Sequence, residues 1–318
     1  MKKKLILVVL ALAVITVGFS GCEFFAGLFK RKTDKISVTA TIFPCYDFAR
    51  AVAGDKAELT LLITPGVDIH SYDPSGMDLL TAGQSDVFIY IGGESDGWVE
   101  DRLLESLNTD GIRLIRLMDY AELFEEELAE GMTEIEEEEE EGVYDEHIWT
   151  SPANAIRLVE AIRDAFVEID GGNAESYRAN AAAYIAEITE IQSDIAETVA
   201  SAVVKKIVVA DKFPFLYLVK EFGLSYAAAL PGCSLEVDQA SAETLLFLAE
   251  TVITYGVPVV YYVELSDQRT ANAIKESTSC GSALLHSCER LTPEEFNSGK
   301  TYADIMRANA AALKLGIV

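Results

Sequence analysis

The chain has 318 residues, of which 50% are apolar and 24% are charged, so its composition is that of a globular protein. It carries 52 acidic and 25 basic side chains, which give a formal net charge of −27. A surface with that charge repels nucleic acid and anionic lipid and attracts cations. We therefore exclude nucleic-acid binding as a function.

The first 21 residues have the features of a secretion signal. Three lysines at positions 2–4 precede an apolar run that ends at Phe19, and Ser20-Gly21-Cys22 follow. The run is short for a membrane span. The stretch before Cys22 resembles a bacterial lipobox, so we expect cleavage there, attachment of a lipid to the Cys22 sulfur and an extracytoplasmic location at the cell membrane. An uncleaved anchor helix is the alternative.

We expect residues 22–35 to form a lipidated tether and the globular part to start near Ile36. Removal of the signal takes away three lysines and no acidic residue, which leaves 22 basic and 52 acidic side chains and a net charge of −30. The remaining length exceeds what one compact core usually needs and suits two lobes.

In the first half of the chain, strand-like apolar segments alternate with helical segments. We predict strands at residues 35–43, 57–64, 86–93 and 112–118, and helices at residues 46–55, 75–84, 97–107 and 154–170. This alternation is typical of βαβ units around a parallel sheet. Residues 173–204 contain no proline or glycine. A helix of that length would cover roughly 45 Å, and we interpret it as a spine that joins two lobes.

The second half repeats the alternation. We predict strands at residues 205–211, 224–230, 257–264 and 283–289, and helices at residues 215–223, 241–256, 270–278 and 301–316. The predicted fold class is therefore α/β, with two lobes that each contain a mostly parallel sheet flanked by helices. We place the lobes at residues 36–170 and 205–318, with the linking helix at 171–204.

Candidate metal ligands cluster where predicted strands end. Ligands of open α/β sheets bind outside the carboxyl ends of the strands. His70, Asp211 and Glu264 follow or end predicted strands, and His147 lies in a loop before a helix. Imidazole nitrogen is a common ligand of zinc, manganese and iron. A hydrogen-bonded loop histidine is the alternative for each imidazole.

Several segments together resemble one family, the substrate-binding proteins of zinc and manganese ABC transporters (cluster A-I). The similar segments span most of the chain: TIFPCYDFARAVAGD, GVDIHSYDPSG, DEHIWTSPANA, VVADKFPFLYLVKEFGL, ALPGCSLEVDQAS, YYVELSDQ and TYADIMRANAAAL. The resemblance implies two α/β lobes joined by one long helix, with the metal between them and little hinge closure.

The same resemblance implies a ligand set. His70 and His147 match the first-lobe ligands, Asp211 matches a second-lobe ligand with a one-residue uncertainty in the alignment, and Glu264 matches the fourth ligand. Two imidazoles and two carboxylates suit Zn²⁺ and also Mn²⁺. Asp211 could instead cap the following helix, and Glu264 could be a solvated acid at a strand end.

The cysteines other than Cys22 leave two possibilities open. Cys45, Cys233, Cys280 and Cys288 allow two disulfides with three pairings in an exported protein. Cys233 and Cys288 could meet near the cleft, as a disulfide or as soft metal donors. We interpret His286, predicted to lie in a strand beside Cys288, as a structural residue.

An acidic loop is predicted at residues 122–146. It contains six consecutive glutamates, Glu136 to Glu141, and we expect it to be extended because like charges repel. It could collect divalent cations weakly beside the cleft or be a solvated linker without a role.

The sequence thus predicts a receptor rather than an enzyme. We expect a lipid-anchored monomer that captures Zn²⁺, or alternatively Mn²⁺, and delivers it to an ABC permease. An extracellular metalloenzyme is the second class, but the chain has no HExxH, GxSxG or Walker A motif. A surface adhesin on the same fold is the third.

Overall fold

Two sheets of four parallel strands each organise the chain. The computed structural model describes residues 35–67, 69, 72–94, 96–106, 109–132, 143–232 and 239–317. The strands are β1 Ile36–Ala40, β2 Ala57–Leu61, β3 Val87–Tyr90, β4 Arg113–Arg116, β5 Lys206–Phe213, β6 Ser225–Pro231, β7 Val259–Tyr262 and β8 Gly281–Leu284. The predicted fold class is confirmed.

Nine α-helices lie around the two sheets in the described residues. They are α1 Phe43–Ala53, α2 Gly76–Gly83, α3 Pro152–Ile169, α4 Ala174–Ser201, α5 Leu216–Phe222, α6 Ala242–Tyr255, α7 Arg269–Thr278, α8 Pro293–Asn297 and α9 Tyr302–Gly316. The predicted helix at 97–107 contains a π-helix, Val99–Leu104. Helix α8 was not predicted, because five residues are too few to show a helical period.

The two sheets share one topology. Their strand orders are β2-β1-β3-β4 and β6-β5-β7-β8. In each sheet the strand order reverses once, between β1 and β3 in the first sheet and between β5 and β7 in the second. A crevice forms at the carboxyl ends of each of these strand pairs. Every predicted strand exists, since short apolar runs between helices have few alternatives in an α/β chain.

The long helix α4 packs its buried face on both lobes. Its buried residues, among them Tyr177, Ala181, Tyr184, Ile188 and Ile191, recur every three to four positions and belong to the largest core cluster. The Tyr184 hydroxyl donates to the buried Asp47 carboxylate on α1, and the Tyr302 backbone N–H at the start of α9 donates to the same carboxylate. Helix α4 therefore ties α1 and the terminal helix together.

A carboxylate of the second lobe caps a helix of the first. Glu221 on α5 accepts hydrogen bonds from the Ser151 hydroxyl and the Ala153 backbone N–H at the start of α3, and from Gln192 on α4. Unpaired N–H groups at a helix start are satisfied this way. The lobes are thus joined by hydrogen bonds, and the limited hinge closure that the resemblance implies stays a prediction.

Two predicted strand ends differ from the structure. Strand β5 continues to Phe213, so Asp211 lies inside it. Strand β8 ends at Leu284, so His286 and Cys288 lie in the following loop, and their placement in a strand was wrong. The apolar run of residues 283–285 hides the boundary, because nothing in a local pattern shows which apolar residue makes the last ladder contact.

Some predictions concern residues outside the described part of the chain. These are the signal sequence, the lipidation site Cys22, most of the tether, His70, the glutamates within 133–142 and Cys233. Among the described residues, no helix combines the length and the hydrophobicity that crossing a membrane requires.

Candidate metal site

His147 is buried at the junction between the two lobes. It precedes a short 3₁₀ turn, Ile148–Thr150, and its side chain is 1% exposed. The His147 carbonyl accepts hydrogen bonds from the Thr150 backbone N–H and hydroxyl. The Trp149 ring packs edge-on to the imidazole with centroids 5.4 Å apart. The backbone at His147 is therefore held in place.

Asp145 orients the imidazole. Its Oδ1 accepts the His147 backbone N–H at 2.8 Å and lies 3.1 Å from His147 Nδ1. In this geometry Nδ1 carries the proton and donates it to the carboxylate, which leaves Nε2 with the lone pair that a metal needs. Such a carboxylate–histidine pair is the usual support of a histidine ligand.

Glu289 faces the other side of the imidazole. It lies in the loop after β8, is 8% exposed, and places its Oε2 3.6 Å from His147 Nε2. Two ligand atoms that each lie about 2.0–2.1 Å from one tetrahedral zinc ion are separated by about 3.3 Å. The observed separation is close to that value. The two atoms are therefore spaced as ligands of one ion.

Gly232 allows the second sheet to approach His147 closely. A β-carbon at this position would lie 2.8 Å from the Phe213 carbonyl oxygen and 3.2 Å from His147 Cε1. A larger residue would push the ends of β5 and β6 away from the imidazole. The carboxyl ends of the second sheet and His147 thus share one site.

Glu264 is close to the site, but its oxygens have other partners. Oε2 accepts the Ser287 backbone N–H at 2.8 Å, and Oε1 accepts the Ser287 hydroxyl and the Arg290 backbone N–H. His286 Nδ1 lies 3.3 Å from Oε2. Glu264 thus shapes the loop that carries Glu289. It is 8% exposed, so the alternative of a solvated acid is wrong.

Asp211 has one committed oxygen and one without a partner. Oδ1 accepts the Lys212 backbone N–H at 2.9 Å, and Oδ2 is buried without a hydrogen-bond partner among the described residues. Burial raises the pKa of the Asp211 carboxyl, although Ser266 lowers it. Helix α5 begins after Phe215 without a side-chain cap, so the alternative of a helix cap at Asp211 is wrong.

The segment that contains His70 is described only on either side of that residue. The preceding residue, Ile69, lines a small cavity together with Ile63, Glu289 and Arg290. The described neighbour of His70 therefore lies beside the Glu289 loop. Considering only the described residues, no three His, Cys, Asp or Glu side chains are grouped as a metal site. His147 and Glu289 form a pair.

Among the described cysteines, no two are joined by a disulfide. Cys45 and Cys288 are buried and Cys280 is partly buried. Burial, together with the Glu264 charge, raises the pKa of the Cys288 thiol well above its usual range. The role of Cys288 as a soft metal donor stays a prediction. The Cys233–Cys288 disulfide stays a prediction, since Cys233 lies outside the described residues. His286 accepts the Cys288 backbone N–H through Nδ1.

Comparison with known proteins places the chain. Residues 38–316 match the ZnuA family, described as zinc-uptake complex component A, periplasmic. The chain belongs to this family. The high-affinity zinc uptake system protein ZnuA of Bacillus subtilis is 29% identical over 311 residues, 97% of this chain and 96% of that protein.

The zinc-binding lipoprotein AdcA of Streptococcus pneumoniae is 32% identical over 286 residues, 90% of this chain. The match spans only 56% of the length of AdcA. The crystal structure of the Zn(II)-bound ZnuA-like domain of AdcA has a TM-score of 0.73 and 30% identity, and covers 89% of this chain and 99% of that domain.

Sequence reasoning named His147 as a candidate ligand and did not name Glu289, which the structure places opposite it. The signal was present, because Glu289 follows the last strand of the second sheet just as Glu264 follows the third. Placing Glu289 within a predicted strand that ended at residue 289 concealed it. The family resemblance favoured Glu264, at the end of the preceding strand, as the carboxylate ligand.

Proposed function

We propose that this protein is an extracytoplasmic metal receptor of an ABC importer, and that it captures Zn²⁺ between its lobes. The observation that carries the proposal is the His147–Glu289 pair, a buried imidazole and a carboxylate 3.6 Å apart with the far nitrogen of the imidazole held by Asp145. A neutral imidazole nitrogen and a carboxylate oxygen are both common zinc ligands, and this pair comes from opposite lobes of one buried site.

For the ligand set, we propose His147 and Glu289 together with His70. Asp211 is the candidate for the remaining position, because its buried Oδ2 has no hydrogen-bond partner among the described residues. We propose Glu289 ahead of Glu264 as the carboxylate from the loops after β7 and β8, since the Glu264 oxygens are occupied by Ser287 and Arg290. Mixed nitrogen and oxygen ligands with four positions favour Zn²⁺ over Mn²⁺, which prefers more oxygen ligands.

Release would follow separation of the lobes by the permease. His147 belongs to the first lobe and Glu289 to the second, so separation removes half of the ligand set. A lipid on Cys22 would keep the receptor at the membrane, and the negative surface would attract cations to it. The ZnuA and AdcA relatives, which are named as a zinc-uptake protein and a zinc-binding lipoprotein, support this proposal.

Metal content tests the proposal. The full chain would be purified without added metal, and its zinc and manganese measured by mass spectrometry beside the variants His70→Ala, His147→Ala and Glu289→Ala. We expect about one zinc per chain in the wild type and loss of that zinc in each variant. Manganese in place of zinc would show that the receptor carries Mn²⁺ rather than Zn²⁺. A wild type that neither contains nor binds either metal would refute the receptor function.

A further inference from the structure

The segment that carries His147 is held from outside its own lobe. The Trp149 indole N–H donates to the Ser287 carbonyl at 2.7 Å, in the loop after β8. The Tyr302 hydroxyl of α9 donates to the Trp149 carbonyl at 2.8 Å. The position of His147 thus depends on contacts that the second half of the chain provides.

One of these contacts acts on the residue that orients the imidazole. Tyr217, on α5 of the second lobe, donates its hydroxyl to the Asp145 carbonyl at 2.6 Å and accepts the Phe124 backbone N–H at 3.3 Å. Its ring packs against Phe124 with centroids 5.4 Å apart, and the side chain is 1% exposed. A buried hydroxyl with a donor and an acceptor in fixed positions has one orientation.

The short path from Tyr217 to the metal site runs through one residue. The Asp145 backbone is fixed by Tyr217, and the Asp145 carboxylate fixes His147 Nδ1. We propose that Tyr217 is a positioning residue for metal capture, which holds the Asp145–His147 pair in its metal-binding orientation from the opposite lobe. This inference rests on the proposed function.

The arrangement makes release cooperative. When the lobes separate, the metal loses Glu289, and the Tyr217–Asp145 hydrogen bond is lost in the same movement. The Asp145 carboxylate is then no longer fixed, and the His147 imidazole loses the contact that orients its Nε2 toward the metal. Retention in the closed protein and release on opening thus depend on the Tyr217–Asp145 contact in addition to the ligands themselves.

Two tyrosine variants test the inference. Tyr217→Phe removes only the hydroxyl, and Tyr226→Phe is the matched control. Tyr226 is also on the second lobe, and its hydroxyl donates to Glu127 at 3.1 Å, three residues from Phe124. Zinc affinity and the dissociation rate into a chelator would be measured on folded full-length protein. We expect about tenfold weaker binding for Tyr217→Phe, mostly through faster dissociation, and a change within about twofold for Tyr226→Phe.

A double-mutant cycle separates positioning from general stabilisation. Asp145→Asn keeps the carbonyl that Tyr217 bonds and weakens the pairing with His147 Nδ1, so we expect a loss of about tenfold or more. The double variant should bind little worse than the weaker single variant, because both changes break one path. The visible spectrum of bound Co²⁺ should change in both single variants and stay unchanged in Tyr226→Phe. Additive losses and unchanged spectra would overturn the proposal.

If Tyr217→Phe does not fold, Phe124→Ala is the second variant. It removes the ring that packs on Tyr217 and leaves the hydroxyl in place, so we expect a smaller loss of affinity with the same spectral change. Wild-type affinity in Phe124→Ala would then overturn the inference. A wild type that binds no zinc would refute the proposed function itself. If Tyr217→Phe bound zinc as tightly as the wild type, only the positioning role of Tyr217 would be refuted.

Discussion

Glu264 and Glu289 follow neighbouring strands of one sheet and have different surroundings. Glu264 comes after β7 and uses both oxygens on the backbone and side chain of the next loop. Glu289 comes after β8 and turns Oε2 toward His147 Nε2. Residue type, burial and position at the sheet edge are nearly the same for both. The difference lies in their hydrogen-bond partners, and it suggests that Glu264 supports the site while Glu289 faces it.

Ser287 connects the two glutamates. Its backbone N–H and hydroxyl donate to Glu264, and its hydroxyl oxygen accepts the Glu289 backbone N–H at 3.0 Å. Glu264 thus acts on Glu289 through the loop between them. The four predictions below test this division of roles.

Glu289→Gln should have the largest effect. The change keeps the size of the side chain and removes the charge that faces His147, so we expect zinc affinity to fall by about 100-fold or more, beyond the typical effect of a supporting residue. Competition with a chromogenic chelator measures the loss. Affinity within threefold of the wild type would remove Glu289 from the ligand set.

Asp211→Asn should have the next largest effect on affinity, a loss of between about 10- and 100-fold if the unpartnered Oδ2 reaches the metal. The same variant also tests how the stability of the metal-free protein depends on pH. Because burial raises the folded-state pKa of Asp211, the folded protein keeps the proton at a pH where the unfolded chain has lost it. Stability is therefore lost as the pH rises from the unfolded pKa through the folded one.

Urea unfolding of the metal-free protein at several pH values checks that sign. We expect Asp211→Asn to flatten the fall in stability that begins as the pH rises above the unfolded pKa of the carboxyl, and to gain up to about 1 kcal/mol at neutral pH. Unchanged zinc affinity together with this gain would make Asp211 a buried acid without a metal role.

Glu264→Gln should cost less affinity than Glu289→Gln and more stability. One amide oxygen cannot accept all the hydrogen bonds that the carboxylate accepts, so we expect a loss of about 1–3 kcal/mol in the free energy of unfolding and about tenfold in zinc affinity. A loss of affinity as large as in Glu289→Gln, at unchanged stability, would show that Glu264 is itself a ligand.

Ser287→Ala should have the smallest effect on metal binding. It removes the hydroxyl between the two glutamates and leaves the backbone hydrogen bond to Glu264 in place, so we expect about threefold weaker zinc binding and about 1 kcal/mol lower stability. Thermal unfolding and the chelator competition measure both quantities. No change in affinity would mean that Glu289 is positioned without Glu264.

The sequence by itself determined the α/β class, the eight strands and the spine helix, and it named His147 as a candidate ligand. These features depend on local patterns, which alternate between buried strands and amphipathic helices and break at glycine and proline. Residues 173–204 were predictable as one helix, because nothing within them interrupts a helical period.

Only the tertiary structure decided which carboxylate faces His147 and what holds the imidazole in place. Tyr217 and Asp145 are 72 residues apart, and Trp149 and Ser287 are 138 apart. Hydrogen bonds over such separations depend on how the two lobes pack against α4, and a local pattern carries no information about that packing. The same holds for the end of β8, which changed Glu289 from a predicted strand residue into a loop residue beside His147.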